Sequence, residues 1–468
     1  GKYCMERKFG FRDKIGYMFG DFGNDFFFML ASTFLMVFYT KVLGISAMAV
    51  GTLFLVARCV DAFTDITMGH IVDTAKLAKD GKFRPWIRRM CVPVVVAGVL
   101  MFNPFIADKS MTFKMVYIYL TYLFWGSICY TGINIPYGSM ASGITAEPIE
   151  RGQLSTFRSV GAALAGVCVN VGVPLFVYAY EGGNQVVLAD RFFYIACLFA
   201  VLALICYILC YSLSTERVKP QVKETNKGSF ARAVKGMTHN RSLLAIIGAA
   251  IVLLLSMLLS GSMNTYLYMD YFKSKEAMSL AGFFSTGATL ILAPFSTTIL
   301  KKFGKKEASA FSVLFASIIY FILFFVRIQN PWAFCVMIAF GNLGTGLFNL
   351  LIWAFITDVI DYQEVQTGSR DDGTIYAVYS FARKIGQALA GGLGGWVLGA
   401  IGYQSSKAGE VIVQTESVTK NIYTVATLAP AVCYLIVGLI LLFAYPLSKK
   451  VVEENNRILA ERRAAEKN

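Results

Sequence analysis

Long apolar runs separated by short polar breaks dominate the chain, and this alternation predicts membrane-spanning helices. A spanning helix needs about 20 consecutive, mostly apolar residues. Twelve runs reach that length, at residues 15–40, 45–70, 88–107, 113–140, 153–180, 191–213, 242–269, 278–300, 308–327, 331–360, 374–403 and 420–447. The pattern therefore predicts an all-α membrane protein with twelve transmembrane helices.

One polar break, rich in Lys and Thr, is much longer than the others, and six predicted spans lie on each side of it. We therefore predict an N-terminal six-helix half, a cytoplasmic linker, a C-terminal six-helix half and a cytoplasmic tail. Their bounds are 1–213, 214–241, 242–447 and 448–468. Acids and bases alternate in the tail, which is typical of a solvated helix.

Composition and charge narrow the class of protein. The chain is 56% hydrophobic and only 15% charged, which is too apolar for a soluble protein of 468 residues. Its net charge of +14 would suit nucleic acid. However, if both termini are cytoplasmic, 30 of the 43 Lys and Arg residues lie on the inner side and nine in outer loops. This asymmetry predicts a multi-pass protein of a bacterial-type cytoplasmic (inner) membrane, surrounded by lipid, with no nucleic-acid partner.

The sequence has few of the residue patterns that bind metals or cofactors. The ten cysteines form no CxxC pair and there are only two histidines, so we expect neither a disulfide framework nor a cofactor.

Three charges interrupt the second apolar run, namely Arg58, Asp61 and Asp65. An ionisable group inside a span costs several kcal/mol unless it is paired or faces a cavity, so it indicates function. At about 100° per residue the three share one helix face. Two carboxylates one turn apart suit Na⁺ as oxygen ligands, or H⁺ as titrating acids. The alternative is a structural ion pair with Arg58.

Four stretches carry a family resemblance, at residues 16–25, 57–86, 134–158 and 358–373. They include Gly-Asp-Phe-Gly-Asn-Asp, Gly-Lys-Phe-Arg-Pro-Trp, Asn-Ile-Pro-Tyr-Gly and Asp-Val-Ile-Asp-Tyr. Together they resemble the glycoside–pentoside–hexuronide:cation symporters, the family of melibiose permease, in the major facilitator superfamily. The resemblance implies a symporter, active as a monomer, that imports a glycoside (a pentoside, hexoside or hexuronide) with Na⁺ or H⁺ by alternating access.

The resemblance also implies a cation site. In the family, residues matching Asp61 and Asp65 bind the coupling ion, and they would be metal ligands only if that ion is Na⁺. Thr131 matches a hydroxyl that assists them. Lys384, in the eleventh span, matches a lysine that faces these acids and would be an exchangeable charge partner. A lysine that reaches the membrane interface is the alternative for Lys384.

A sugar site is implied in the same way. Asp25 matches an acid that accepts hydrogen bonds from sugar hydroxyls. Asn24 and Asn134 stand where melibiose permease has lysine and aspartate, which changes the local charge. Arg158 matches a sugar-binding arginine and would also suit a hexuronide carboxylate; its alternative partner is Glu150. Other candidates, including possible stacking rings for the sugar, are Tyr130, Trp353, Tyr379 and Ser380.

Charged residues near the predicted cytoplasmic helix ends resemble gate elements. They are Arg58, Asp73, Arg84, Asp358, Asp361 and Arg370. Solvated loop charge is the alternative.

Three rival functions remain open on sequence alone, because fold does not decide function. A membrane enzyme needs a catalytic constellation, and none is visible. A channel would not accumulate its solute. A lipid or amphiphile transporter of the same fold would favour an apolar cleft.

Overall fold

The computed structural model describes residues 7–218, 235, 238–368, 372–407 and 410–468. Within these ranges it leaves out the side chains at 73, 148, 149, 152, 297, 300, 353, 354, 357, 372–374, 376–378, 380 and 381. Ten helical segments of the described chain are long and apolar enough to cross a bilayer. The all-α membrane class predicted from the sequence is therefore confirmed.

Fourteen described helices follow one another along the chain. The first seven are α1 (Phe11–Val37), α2 (Ala47–Thr74), α3 (Arg84–Met101), α4 (Met111–Leu123), α5 (Thr131–Ile144), α6 (Pro148–Val177) and α7 (Ala189–Leu213). The later ones are α8 (Arg241–Tyr266), α9 (Lys275–Phe303), α10 (Lys305–Val326), α11 (Pro331–Thr367), α12 (Asp372–Ala400), α13 (Glu416–Leu439) and α14 (Lys449–Glu466). A short 3₁₀ turn lies at Pro104–Ile106.

Several helices continue into π-helical turns, at Phe38–Val42, Phe124–Tyr130, Leu267–Tyr271 and Ile440–Ala444. Such turns are rare and often occur at functional sites. The π turn at Phe124–Tyr130 joins α4 to α5, so residues 111–144 form one helical run.

Hydroxyl side chains cap helices at their polar starts. The Oγ of Ser46 accepts the N–H of Ala49 at the start of α2, and Ser110 does the same for Phe113 at the start of α4. Inside the bilayer the backbone must bond to itself, so these caps mark where the chain returns to water.

The fifth predicted span ends three residues early. Its helix stops at Val177, and a two-stranded antiparallel hairpin follows, with β1 at Tyr178–Glu181 and β2 at Asn184–Val187. Gly182 and Gly183, both at positive φ, form its turn. The predicted spans 113–140 and 374–403 are helical but are not among the ten apolar segments, so the count of twelve remains a prediction.

The chain divides into two compact units. The first comprises Gly1–Lys223, Tyr268–Phe283 and Gly394–Val418. In it α1 packs along α6 and α7, with Leu30 and Phe34 fully buried.

The second unit comprises Glu224–Leu267, Phe284–Leu393 and Thr419–Asn468. In this unit α10 packs on α11, and the tail helix α14 rests against α11. The Arg463 guanidinium there lies 3.5 Å from the Glu364 carboxylate.

Candidate cation and sugar sites

The two acids of α2 each meet a hydroxyl group from the α4–α5 helical run. Ser127 Oγ donates to Asp61 Oδ1 at 2.5 Å, and Thr131 Oγ1 donates to Asp65 Oδ1 at 2.8 Å. Asp61 and Asp65 are four residues apart, and so are Ser127 and Thr131. The two acid–hydroxyl contacts therefore lie about one helical turn apart. We define Asp61, Asp65, Ser127 and Thr131 as the acid–hydroxyl cluster.

Arg58 lies beside this cluster. Its Nη1 is 3.3 Å from Asp61 Oδ2, and its guanidinium lies 5.8 Å from the Phe28 ring centroid. Asp61 therefore forms the ion pair with Arg58 that was the alternative to a functional role. The Arg58 contact is made by Asp61 Oδ2, while Asp61 Oδ1 accepts from Ser127.

A second cluster joins α1, α5 and α7. Asn24 Nδ2 donates to Asn134 Oδ1 at 3.3 Å, and the Tyr207 hydroxyl donates to Asn24 Oδ1 at 2.6 Å. Asn24 and Tyr207 are buried and Asn134 is half-buried. Both predicted amides therefore meet, together with a tyrosine that the sequence analysis did not single out.

Arg158 meets an acid of α1. Its Nε lies 3.5 Å from Asp21 Oδ2, and its guanidinium lies 5.2 Å from the Tyr137 ring centroid. The alternative partner, Glu150, instead accepts from the Thr145 hydroxyl at 2.6 Å. A side chain at Gly138 would approach Arg158, since an added Cβ lies 3.5 Å from its Nη1.

Asp25 is only 9% exposed, yet its carboxylate makes no hydrogen bond or ion pair with the residues that the structure describes. Burying a charged group without a partner is unfavourable, so such a carboxylate is suited to receive one from a ligand. Tyr130 lies close by on the same unit, stacked at 5.8 Å between centroids on Phe28.

The remaining predicted site residues lie in the second unit. Tyr379 is fully buried and its hydroxyl is 3.4 Å from Arg383 Nη1, while Lys384 is half-buried. The approach of Lys384 to the acids of α2 stays a prediction. The side chains of Trp353 and Ser380 lie outside the described residues.

The predicted gate residues have varied surroundings. Arg84 donates to the Tyr211 carbonyl at 2.8 Å, and Asp358 pairs with Lys305 at 3.0 Å. Asp361 is half-buried on α11. Asp73 (its side chain) and Arg370 lie outside the described residues.

An ion pair that the sequence analysis missed joins the ends of α1 and α8. Lys41 Nζ lies 3.0 Å from Asp270 Oδ1, and the Tyr403 hydroxyl donates to Asp270 Oδ2 at 3.0 Å. Both charged residues sit in π turns. The Ser406 N–H donates to the Thr40 carbonyl at 2.8 Å, so the connection after α12 is hydrogen-bonded to the π turn that carries Lys41.

Comparisons with known proteins assign this chain to a family. The family model described as MFS/sugar transport protein matches residues 16–449. A glucuronide carrier protein homolog of Escherichia coli K12 is 30% identical over 466 residues, covering 97% of each chain. A putative glycoside/cation symporter of the same organism is 29% identical and covers 97% of this chain and 96% of its own length.

Solved structures agree on the fold. The nucleoside transporter NupG superposes with a TM-score of 0.62 at 14% identity, covering 93% of this chain and 99% of its own. A D-xylose-proton symporter superposes with a TM-score of 0.60 at 14% identity, covering 94% and 97%. The predicted kinship with the glycoside–pentoside–hexuronide:cation symporters is confirmed, and the chain belongs to the family of MFS/sugar transport proteins.

Proposed function

We propose that this protein imports a glycoside across the cytoplasmic membrane, by symport with Na⁺ or H⁺ and alternating access. One observation carries the proposal: α5 bears both Thr131, bonded to Asp65, and Asn134, bonded to Asn24. The two polar clusters thus share a single turn of helix. The names of two relatives, a glucuronide carrier homolog and a putative glycoside/cation symporter, agree with this assignment.

The acid–hydroxyl cluster would bind the coupling ion. Asp61, Asp65 and Arg58 alone carry a formal charge of −1 when all three are ionised, which attracts a monovalent cation. Carboxylate and hydroxyl oxygens are the ligands that a hard cation prefers. The same carboxylates would take a proton if H⁺ is the coupling ion.

Asn24, Asp25, Asn134 and Arg158 would bind the sugar. Asp25 accepts from hydroxyl groups, while amide and guanidinium N–H groups donate to hydroxyl oxygens. The Asp21 contact is with Nε, one of the five N–H donors of the Arg158 guanidinium, so a hexuronide carboxylate would be able to bind the Nη donors without displacing Asp21. Tyr130, Trp353, Tyr379 and Ser380 are the further candidates for contact.

Alternating access would need charges that form and break. Lys384 would be the exchange partner of the α2 acids in the ion-free state. Arg84, Asp358, Asp361, Asp73 and Arg370 would act at the cytoplasmic side, with both termini there. Lys41 and Asp270 would act at the outer side, since their pair joins segments of both predicted halves.

The test is uptake of labelled galactosides, xylosides, glucosides and glucuronides into proteoliposomes, under a Na⁺ gradient and separately under a pH gradient. We expect one glycoside class to accumulate above equilibrium under one gradient. Asp65→Asn should abolish accumulation. Ser127→Ala should raise the half-saturating cation concentration about tenfold, because a hydrogen bond to a charged group is lost.

A matched control is Asp108→Asn, which neutralises an exposed carboxylate and should leave uptake unchanged. Equilibration without accumulation would indicate a channel instead. Uptake of no glycoside under either gradient would contradict the proposal.

A further inference from the structure

The Tyr207, Asn24 and Asn134 side chains form a directed hydrogen-bond chain that links α7, α1 and α5. A phenol has one proton to donate. Because Tyr207 donates it to Asn24 Oδ1 at 2.6 Å, the Asn24 amide turns its nitrogen towards Asn134. Asn24 Nδ2 then donates to Asn134 Oδ1 at 3.3 Å. The phenol proton and the Asp21 carboxylate, with which the Asn24 side chain also interacts, favour the same direction of the two amides.

The direction of the chain decides which hydrogen-bonding group of Asn134 remains available. The Asn134 oxygen is occupied as an acceptor, and its Nδ2 is left as a donor that no described residue uses. If the Asn24 amide turned over, Asn134 would turn as well and would present its oxygen instead. In that reversed arrangement Asn24 Nδ2 would donate to the Tyr207 oxygen, and the buried phenol proton would lose its acceptor, which is unfavourable.

We propose that Tyr207 is a positioning residue of the sugar site. Through Asn24 it leaves an N–H donor of Asn134 outside the hydrogen-bond chain. The Asp25 carboxylate, which makes no hydrogen bond or ion pair with the described residues, lies in the same unit. A sugar hydroxyl both donates and accepts, so a fixed donor and a fixed acceptor recognise it better than a freely turning amide does. The inference rests on the proposed function.

The experiment measures uptake of p-nitrophenyl β-glucoside and p-nitrophenyl β-glucuronide into proteoliposomes, together with analogues in which one sugar hydroxyl is replaced by hydrogen. We expect Tyr207→Phe to raise KM about tenfold with the maximal rate within about twofold, since an oriented hydrogen bond is lost. The preference for the parent sugar over one of its deoxy analogues should fall by a similar factor. A purely structural tyrosine would not change that ratio.

Three further variants sharpen the test. Tyr39→Phe is the matched control, because Tyr39 is also a buried tyrosine of the first unit and its hydroxyl has no partner among the described residues. Asn134→Asp keeps the acceptor for Asn24 but removes the donor, so it should lose the same discrimination with Tyr207 intact. Tyr207→Phe added to Asn24→Ala should have no further effect, because both interrupt one chain.

The inference is overturned if Tyr207→Phe behaves like Tyr39→Phe, or if its effect adds fully to that of Asn24→Ala. Those results require a wild-type protein that transports a probe. Failure of the wild type to transport either probe or any glycoside of the wider panel would instead refute the proposed function.

Discussion

Removing one partner of the Lys41–Asp270 ion pair should destabilise the protein far more than removing both. The Lys41 and Asp270 side chains are only 9% and 10% exposed, and Nζ lies 3.0 Å from Oδ1. Asp270 also accepts from Tyr403, and Lys41 Nζ lies 5.3 Å from the ring centroid of that tyrosine. The charges are therefore held together with little solvent exposure.

The expected magnitude follows from this burial. Breaking a buried pair by removing one member costs about 3–5 kcal/mol, because the remaining charge is left without a partner. Asp270→Asn and Lys41→Met should each approach that range. The double variant should lose much less, since replacing both members of a buried pair by uncharged residues is often neutral. The double-mutant cycle should therefore show a coupling of roughly 2 kcal/mol or more.

Thermal unfolding in detergent, followed with a thiol-reactive fluorophore, is a suitable assay. Cys129, Cys206 and Cys335 are buried free thiols, so their labelling reports loss of the fold. Glu461→Gln is the control, because its pair with Arg457 on α14 is exposed at 66% and 56% and such pairs contribute little. The reasoning is refuted if either single variant melts like the wild type, or if the double variant melts as low as the sum of the singles predicts.

Two further predictions concern stability. Burial raises the pKa of Glu216, which follows α7, so wild-type stability should fall as pH rises from about 4.3 through that raised pKa. The melting temperature of Glu216→Gln should not fall over this pH range. Parallel profiles of melting temperature against pH for the two proteins would contradict the prediction. An added Cβ at Gly20 would overlap the Tyr137 ring, so Gly20→Ala should destabilise by about 1–3 kcal/mol. A Cβ added at Gly172 on α6 meets no atom within 4 Å, so Gly172→Ala should not destabilise the protein. Equal melting temperatures of the two variants would contradict the packing argument.

The helical architecture and several contacts of the candidate sites could be predicted from sequence because their signals are local or carried by the resemblance. Apolar runs of spanning length reveal most helices. The spacing of Asp61 and Asp65 places both on one face, and both do face the α4–α5 run. The turn at Gly182 and Gly183 was a readable hairpin signal that the apolar residues before it concealed.

Other contacts had no local signal. Ser127, which donates to Asp61, lies within a π turn, and a pattern read at 3.6 residues per turn does not predict the register there. Tyr207 lies in a strongly apolar span, where one tyrosine is indistinguishable from a packing residue. Asp21 and Arg158 are far apart in the chain and meet through the packing of α1 on α6.

The shared turn of α5 gives the proposed symport a physical basis for coupling. Thr131 and Asn134 are three residues apart on one helix, so a shift of that turn moves the hydroxyl at Asp65 and the amide at Asn24 together. An ion that draws Asp65 and Thr131 together would therefore favour one position of Asn134, and a sugar held by Asn134 would favour one position of Thr131. Coupling between binding sites is reciprocal, so the factor by which the ion strengthens sugar binding equals the factor by which the sugar strengthens ion binding. In the proposed symport, the helical turn from Thr131 to Asn134 is the element that would transmit that factor between the two sites.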